Sequence, residues 1–219
     1  MVILIIACIL LAAVFLYRES RERYVSAAVL KGLASACFVI LGIVCSPGTQ
    51  IAGRIVCGLV LGCVADVLLN LRWVVKEKGQ LVFLIGILVF LSGHILYLAA
   101  VAGLSANWPV CLAAGAVLTA LLMAWILRRI TAKPAFKFFG VFYIGAVVIL
   151  NCIAAGNLAA APSAFTGLFA AGALFFLVSD VVLILNTFGP ETRQSLRLLN
   201  ISLYYIGQLL IALSLRFAP

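Results

Sequence analysis

The chain has 219 residues, 67% of them hydrophobic, with a mean hydropathy of +1.32. An ordinary soluble domain is about half apolar, so the composition excludes one and points to an all-α, polytopic membrane protein forming a single transmembrane domain over residues 1–219. Only 10% of residues are charged, yet the formal net charge is +9; the basic residues lie mostly in short loops, where they orient a membrane protein, and nucleic acid is not an expected partner.

Eight apolar runs are long enough to span a bilayer, given that about 20 residues cross a hydrocarbon core of about 30 Å. In chain order they are roughly 2–17, 25–45, 51–71, 80–102, 108–127, 138–156, 164–186 and 199–217. The first lacks a basic leading segment and a small-residue cleavage site before Arg18, so it reads as a retained span. All six prolines (Pro47, Pro109, Pro134, Pro162, Pro190 and Pro219) fall between runs or at the chain end, as expected of a residue that breaks helix hydrogen bonding. The seven cysteines are scattered without a C-x-x-C pair and read as small core residues, without disulfides.

Alternate loops carry the positive charge. Arg18, Arg21 and Arg23 are followed by Arg72, Lys76 and Lys78, then Arg128, Arg129, Lys133 and Lys137, then Arg193 and Arg197. The other side has Arg54 and Arg216, and Lys31 sits inside the second span near the basic side. This asymmetry predicts an integral cell-membrane protein with its basic loops in the cytoplasm and both termini on the non-cytoplasmic side.

A repeat recurs at an offset of 114 residues: Val64, Asp66, Val67 and Leu69 map to Val178, Asp180, Val181 and Leu183, and Gly93-His94 maps to Gly207-Gln208. The expected arrangement is two parallel four-helix repeats, about 1–104 and 105–219, with a site between them.

Polar residues inside the spans are costly and mark candidate sites. Asp66 and Asp180 each stand in an otherwise apolar run. On the third span Gly58, Gly62, Asp66 and Asn70 are spaced four apart and form one stripe, and the small residues let a neighbouring helix approach. The fourth span aligns Gly86, Phe90, His94 and Tyr97; the eighth aligns Asn200, Tyr204 and Gln208, with Tyr205 beside them. Asp66, Asp180, Tyr204 and Gln208 lie in the cytoplasmic halves of their spans, which predicts a pocket with a polar mouth and an apolar floor further in, suited to a single-chain lipid. The plain structural alternatives are that Asp66 only holds the bundle through a hydrogen bond, that His94 is a satisfied core group, and that Tyr204 and Tyr205 are interfacial anchors.

Two acids buried together cannot both ionise easily, so one can hold a proton near neutral pH while the other stays charged. That pairing protonates a substrate and stabilises or hydrates the cation that forms. No nucleophile elbow, H-E-x-x-H, phosphate-binding loop or dinucleotide fingerprint is present, and no cofactor or metal is expected. A proton-coupled small transporter and a metal-dependent lipid hydrolase using Asp66, Asp180 and His94 remain as alternatives, beside a lipid-sensing protein without chemistry.

The ordered motifs resemble the YhhN-like family of integral membrane lysoplasmalogenases. They are G-C-V-A-D-V-L-L around Asp66, the Gly86, Phe90, His94, Tyr97 series, F-F-L-V-S-D ending at Asp180 with Asn186 and Phe188, and Y-Y-I-G-Q-L-L-I from Tyr204. Lys31 stands where the family has Lys-Pro, with Gly32 in place of the proline, and Ala65 stands where a glycine often precedes the first Asp. The resemblance implies hydrolysis of the vinyl ether bond of a lysophospholipid by water, giving a fatty aldehyde and a glycerophospho-alcohol. Asp66 and Asp180 are then the catalytic pair, which is acid being left open. Lys31 is a candidate for the phosphate, and Asn70, His94, Tyr97, Asn186, Tyr204, Tyr205 and Gln208 for binding or orienting substrate, acids or water.

Overall fold

The computed structural model describes residues 1–105 and 107–219; Ala106 and the side chain of Lys76, one of the loop cations, lie outside the described residues. Eight α-helices follow one another: α1 (Val2–Ser20), α2 (Tyr24–Cys45), α3 (Gln50–Leu71), α4 (Gly79–Val101), α5 (Trp108–Leu127), α6 (Pro134–Ala160), α7 (Ala164–Phe188) and α8 (Gln194–Ser214), with single 3-10 turns at 76–78, 102–104 and 215–217. All eight are long and apolar enough to cross a membrane, and no strand occurs among the described residues.

Most boundaries fall within two residues of the expected runs. The exceptions are α1, which ends three residues late, α6, four residues longer at each end, and α8, which starts five residues early and ends three residues early. Pro109 and Pro134 are therefore not between helices but in the first turns of α5 and α6, where no intrahelical N–H is required. Arg197 lies within the first turns of α8, where Glu19, at the end of α1, meets its guanidinium through two hydrogen bonds of 2.7 and 2.9 Å. Thr49 caps α3, and Ser163 with Thr166 forms a reciprocal cap on α7, so both helices that carry a buried Asp have a side-chain-capped N-terminus.

Sequential helices pack as neighbours within 1–4 and within 5–8, while α4 against α6 and α2 against α8 close the bundle. Gly58 of α3 and Gly93 of α4 meet so closely that a Cβ on either would stand 3.1 Å from the other's carbonyl oxygen; Gly172 of α7 and Gly207 of α8 meet likewise at 2.8 Å. The outward faces are apolar, with Ile3, Ile6 and Ile9 on α1 and Val110, Val117 and Leu121 on α5 exposed where lipid tails would lie. Cys8, Cys37 and Cys45 are buried as expected of core residues, but Cys57 is exposed on that outer surface; all seven cysteines are unpaired thiols.

Candidate functional site

Asp66 is held on α3 by the stripe that precedes it. Gly58 faces the ring of Tyr97 and the backbone of Gly93, Gly62 faces Gln208 and Tyr204, and the register carries Asp66 and Asn70 inward with them. Its carboxylate is fully engaged. Lys31 of α2 places Nζ 2.9 Å from Oδ1, while the hydroxyls of Ser35 (α2) and Tyr204 (α8) each donate to Oδ2 at 2.5 Å. Lys31 and Ser35 are one helical turn apart, so a single face of α2 supplies both contacts. Both charges are buried, Lys31 at 5% and Asp66 at 1% exposure, and each satisfies the other.

Asp180, on α7, has different company. Tyr143 of α6 donates to Oδ2 at 2.6 Å, and among the described residues no cation stands within ion-pair distance. The preceding residue locks its helix to α8: Ser179 Oγ donates to the Asn200 carbonyl at 3.1 Å, and Asn200 Nδ2 donates to the Ser179 carbonyl at 2.9 Å. Asp180 is therefore fixed in position with no cation beside it among the described residues.

Both acids line one cavity of about 100 Å³ enclosed by α2 to α8, together with Lys31, Asn70, Tyr143 and Tyr204. An apolar cavity of this order admits a small hydrocarbon, and polar walls admit water. The apolar lining does not form a floor beyond the acids, as the sequence reading expected. It runs beside them, with Phe90, Met123, Ile126 and Ile184, and continues toward the basic loops. There Phe83, Phe136 and Phe188 form a ring cluster with centroids 5.6 to 6.2 Å apart. The reason is local: the helix ends on that side carry phenylalanines, whereas Asp66, Asp180 and Tyr204 sit deeper, more than one turn from the basic ends of α3, α7 and α8.

The remaining candidates form a second layer or lie elsewhere. Tyr97 OH donates to Gln208 Oε1 at 3.2 Å and Gln208 Nε2 donates to Tyr204 OH at 3.4 Å, a relay ending on Asp66. Tyr205 OH lies 3.3 Å from Ser35 Oγ and within reach of the Lys31 carbonyl. Tyr204 and Tyr205 are thus buried partners of the α2–α3 ion pair, not interfacial anchors. His94 is enclosed by the rings of Phe90, Tyr97, Tyr143 and Phe176, with Nδ1 2.9 Å from the Phe90 carbonyl, and does not line the cavity. Asn186 turns away to the α7–α8 loop, where Oδ1 accepts from the Arg193 backbone at 2.7 Å. Among the described residues no three His, Cys, Asp or Glu side chains are grouped to hold a metal ion, so Asp66, Asp180 and His94 do not form the ligand set considered above.

Ser35 and Tyr143, one contact for each acid, went unnoticed in the sequence. Ser35 had a usable signal, four residues after the buried Lys31. Tyr143 had a weaker one, as the single hydroxyl of α6, but it stands in an aromatic-rich stretch without a polar stripe to show which way it turns.

Comparison with known proteins gives two matches. The YhhN family matches residues 1–215. Lysoplasmalogenase TMEM86A of Homo sapiens is 34% identical over 167 residues, covering 74% of this chain and 65% of the human protein, so the match spans just under two thirds of that relative's length. No solved structure matches the chain.

Proposed function

Because this chain belongs to the YhhN family, we propose that it is an intramembrane hydrolase that cleaves the vinyl ether bond of a lysoplasmalogen. The name of the human relative supports the reaction class. The observation that carries the mechanism is the unlike company of two carboxyl groups on one cavity, Asp66 balanced by Lys31 and Asp180 met, among the described residues, by the Tyr143 hydroxyl alone. Such a pair divides into a charged member and a proton-carrying member.

In this reading Asp180 is the acid. Its proton goes to the vinyl carbon that does not bear oxygen, leaving an oxocarbenium ion at the neighbouring carbon. The Asp66 carboxylate, oriented by Ser35 and Tyr204, stabilises that cation. Water adds to the cationic carbon and returns a proton to Asp180. The resulting hemiacetal collapses: its C–O bond to the glycerol breaks, its hydroxyl proton passes to the leaving oxygen, and fatty aldehyde and glycerophospho-alcohol are released. Lys31 acts through Asp66 rather than on the substrate phosphate, since its ammonium is committed to the carboxylate. Tyr97, Gln208 and Tyr205 hold the hydroxyls around Asp66; His94 and Asn186 act as packing and loop-fixing residues.

The test is hydrolysis of a 1-alkenyl lysophospholipid in D2O. The expected aldehyde carries one deuterium on the carbon next to the carbonyl, and Asp180→Asn lowers its release by about 10²-fold or more, the scale of general acid catalysis. Aldehyde without deuterium, or full activity in Asp180→Asn, refutes the mechanism. Substrate flux into liposomes without aldehyde would make the protein a transporter instead.

A further inference from the structure

Four cationic side chains line the cavity: Lys31, Arg72, Lys137 and Arg197. Two are neutralised, Lys31 by Asp66 and Arg197 by Glu19. Among the described residues, Arg72 and Lys137 have no carboxylate within ion-pair distance. Arg72 follows the last residue of α3. Its guanidinium is stacked between two rings, 4.2 Å from the Phe83 centroid and 4.7 Å from that of Trp73, and its Nε–H is buried without a hydrogen-bond partner among the described residues. Two residues earlier Asn70, 4% exposed, points a second orphan into the same cavity: its Nδ2 also lacks a partner. Burial pulls the Arg72 pKa down to about 10, with the like charge of Arg197 adding to the shift and Glu19 opposing it, so the group is cationic at neutral pH. A half-desolvated cation beside unsatisfied donors is costly unless an anion completes it.

We propose that Arg72, Asn70 and Lys137 form the binding site for the headgroup phosphate of a lipid whose reacting bond lies between the two acids. The proposal rests on the lysophospholipid reading above and names the part of the site that recognises its anionic end. The spacing agrees. Along α3, Asp66 to Arg72 is six residues, a rise of about 9 Å. Six single bonds separate the oxygen-bearing vinyl carbon of a lysoplasmalogen from its phosphorus, an extended span of about 7 Å at bond lengths near 1.5 Å. Arg72 presents its donors at a fixed angle suited to a phosphate, and the ring stack holds it in place before the ligand arrives.

The test uses the purified full chain in detergent and two non-hydrolysable ligands of equal tail length, a 1-alkyl lysophospholipid and a 1-alkylglycerol, with affinities measured by calorimetry. The wild type is expected to prefer the phospholipid. Arg72→Gln should lower the ratio of the two affinities by about tenfold to a hundredfold, the loss of charge-assisted hydrogen bonds; Lys137→Gln should lower it less, and Arg72→Lys should restore part of it. If Arg72→Gln does not fold, Arg72→Lys and Lys137→Gln carry the comparison. An unchanged ratio in the variants, or no preference in the wild type, overturns the proposal. So does an Arg72-dependent rise in melting temperature with inorganic phosphate when the two lipids bind alike, which would assign the site to free phosphate. Neither ligand has a vinyl ether, so a protein that failed the D2O experiment would still report on this site.

Discussion

Lys31 and Asp66 neutralise one another at a depth where either alone is costly. The stability and the proposed chemistry of this pair are therefore separable. Asp66→Asn leaves the ammonium buried without its partner and is expected to destabilise the protein by about 3–5 kcal/mol. Adding Lys31→Met removes the stranded charge, so the double variant should recover much of the melting temperature while aldehyde release stays lost. Thermal unfolding in detergent and a product assay on the four proteins of the cycle check both parts. If the double variant regained activity, Asp66 would be no more than a structural partner for Lys31. Ser35 and Tyr204 complete this corner by donating to the second oxygen, which leaves the carboxylate one orientation and aims it at the cavity.

At the scale of the helix, glycine decides how close the acids can be brought. The α3–α4 crossing rests on Gly58 and Gly93, and the α7–α8 crossing on Gly172 and Gly207. Each crossing sets the depth and rotation of a helix that carries an Asp eight residues further on, Asp66 after Gly58 and Asp180 after Gly172. Gly58→Ala drives a methyl into the Tyr97 ring, and Gly172→Ala into the Gly207 backbone and Ile211. Each substitution is expected to cost about 1–3 kcal/mol, as overpacked sites do. Melting temperatures should fall in both variants. An unchanged melting temperature in either would mean that its helix pair can slide apart freely. The same crossings explain why the expected stripe on α3 was legible: a four-residue spacing of glycine, glycine, aspartate and asparagine can face only protein.

Taken as a whole, the molecule is a multi-pass membrane bundle with its charged loops gathered at one end. Arg197 with Glu19, Lys133 with Gln80, and the Thr131 amide with the Phe188 carbonyl join those loops across helix ends. We propose, on its excess of Lys and Arg, that this end faces the cytoplasm. Fusion of alkaline phosphatase to the C-terminus is expected to give activity, and a fusion within the Arg193-bearing loop none; the reverse would invert the topology. The two parallel repeats also remain a proposal, supported by helix pairings that recur on shifting by four and by the two glycine crossings, which are related by the same offset of 114 residues as the acids. Superposition of residues 1–104 on 105–219 tests it directly.

Composition and spacing by themselves determined the class and the parts: eight apolar runs must become helices in lipid, because no other local structure satisfies their backbone there, and the four-residue stripes told which side chains turn inward. A lone carboxylate in each of two apolar runs, repeated at an offset of 114 residues, marked the two acids without distinguishing them. Only the tertiary structure decided what each acid faces. Lys31 reaches Asp66 rather than a phosphate, Tyr143 reaches Asp180, His94 is sealed among aromatic rings, and the Arg72 Nε–H has no hydrogen-bond partner among the described residues. Contacts around these acids join residues far apart in the chain, Tyr204 and Asp66 being 138 positions apart, and periodicity along one helix carries no information about which neighbour, at which height, will meet it.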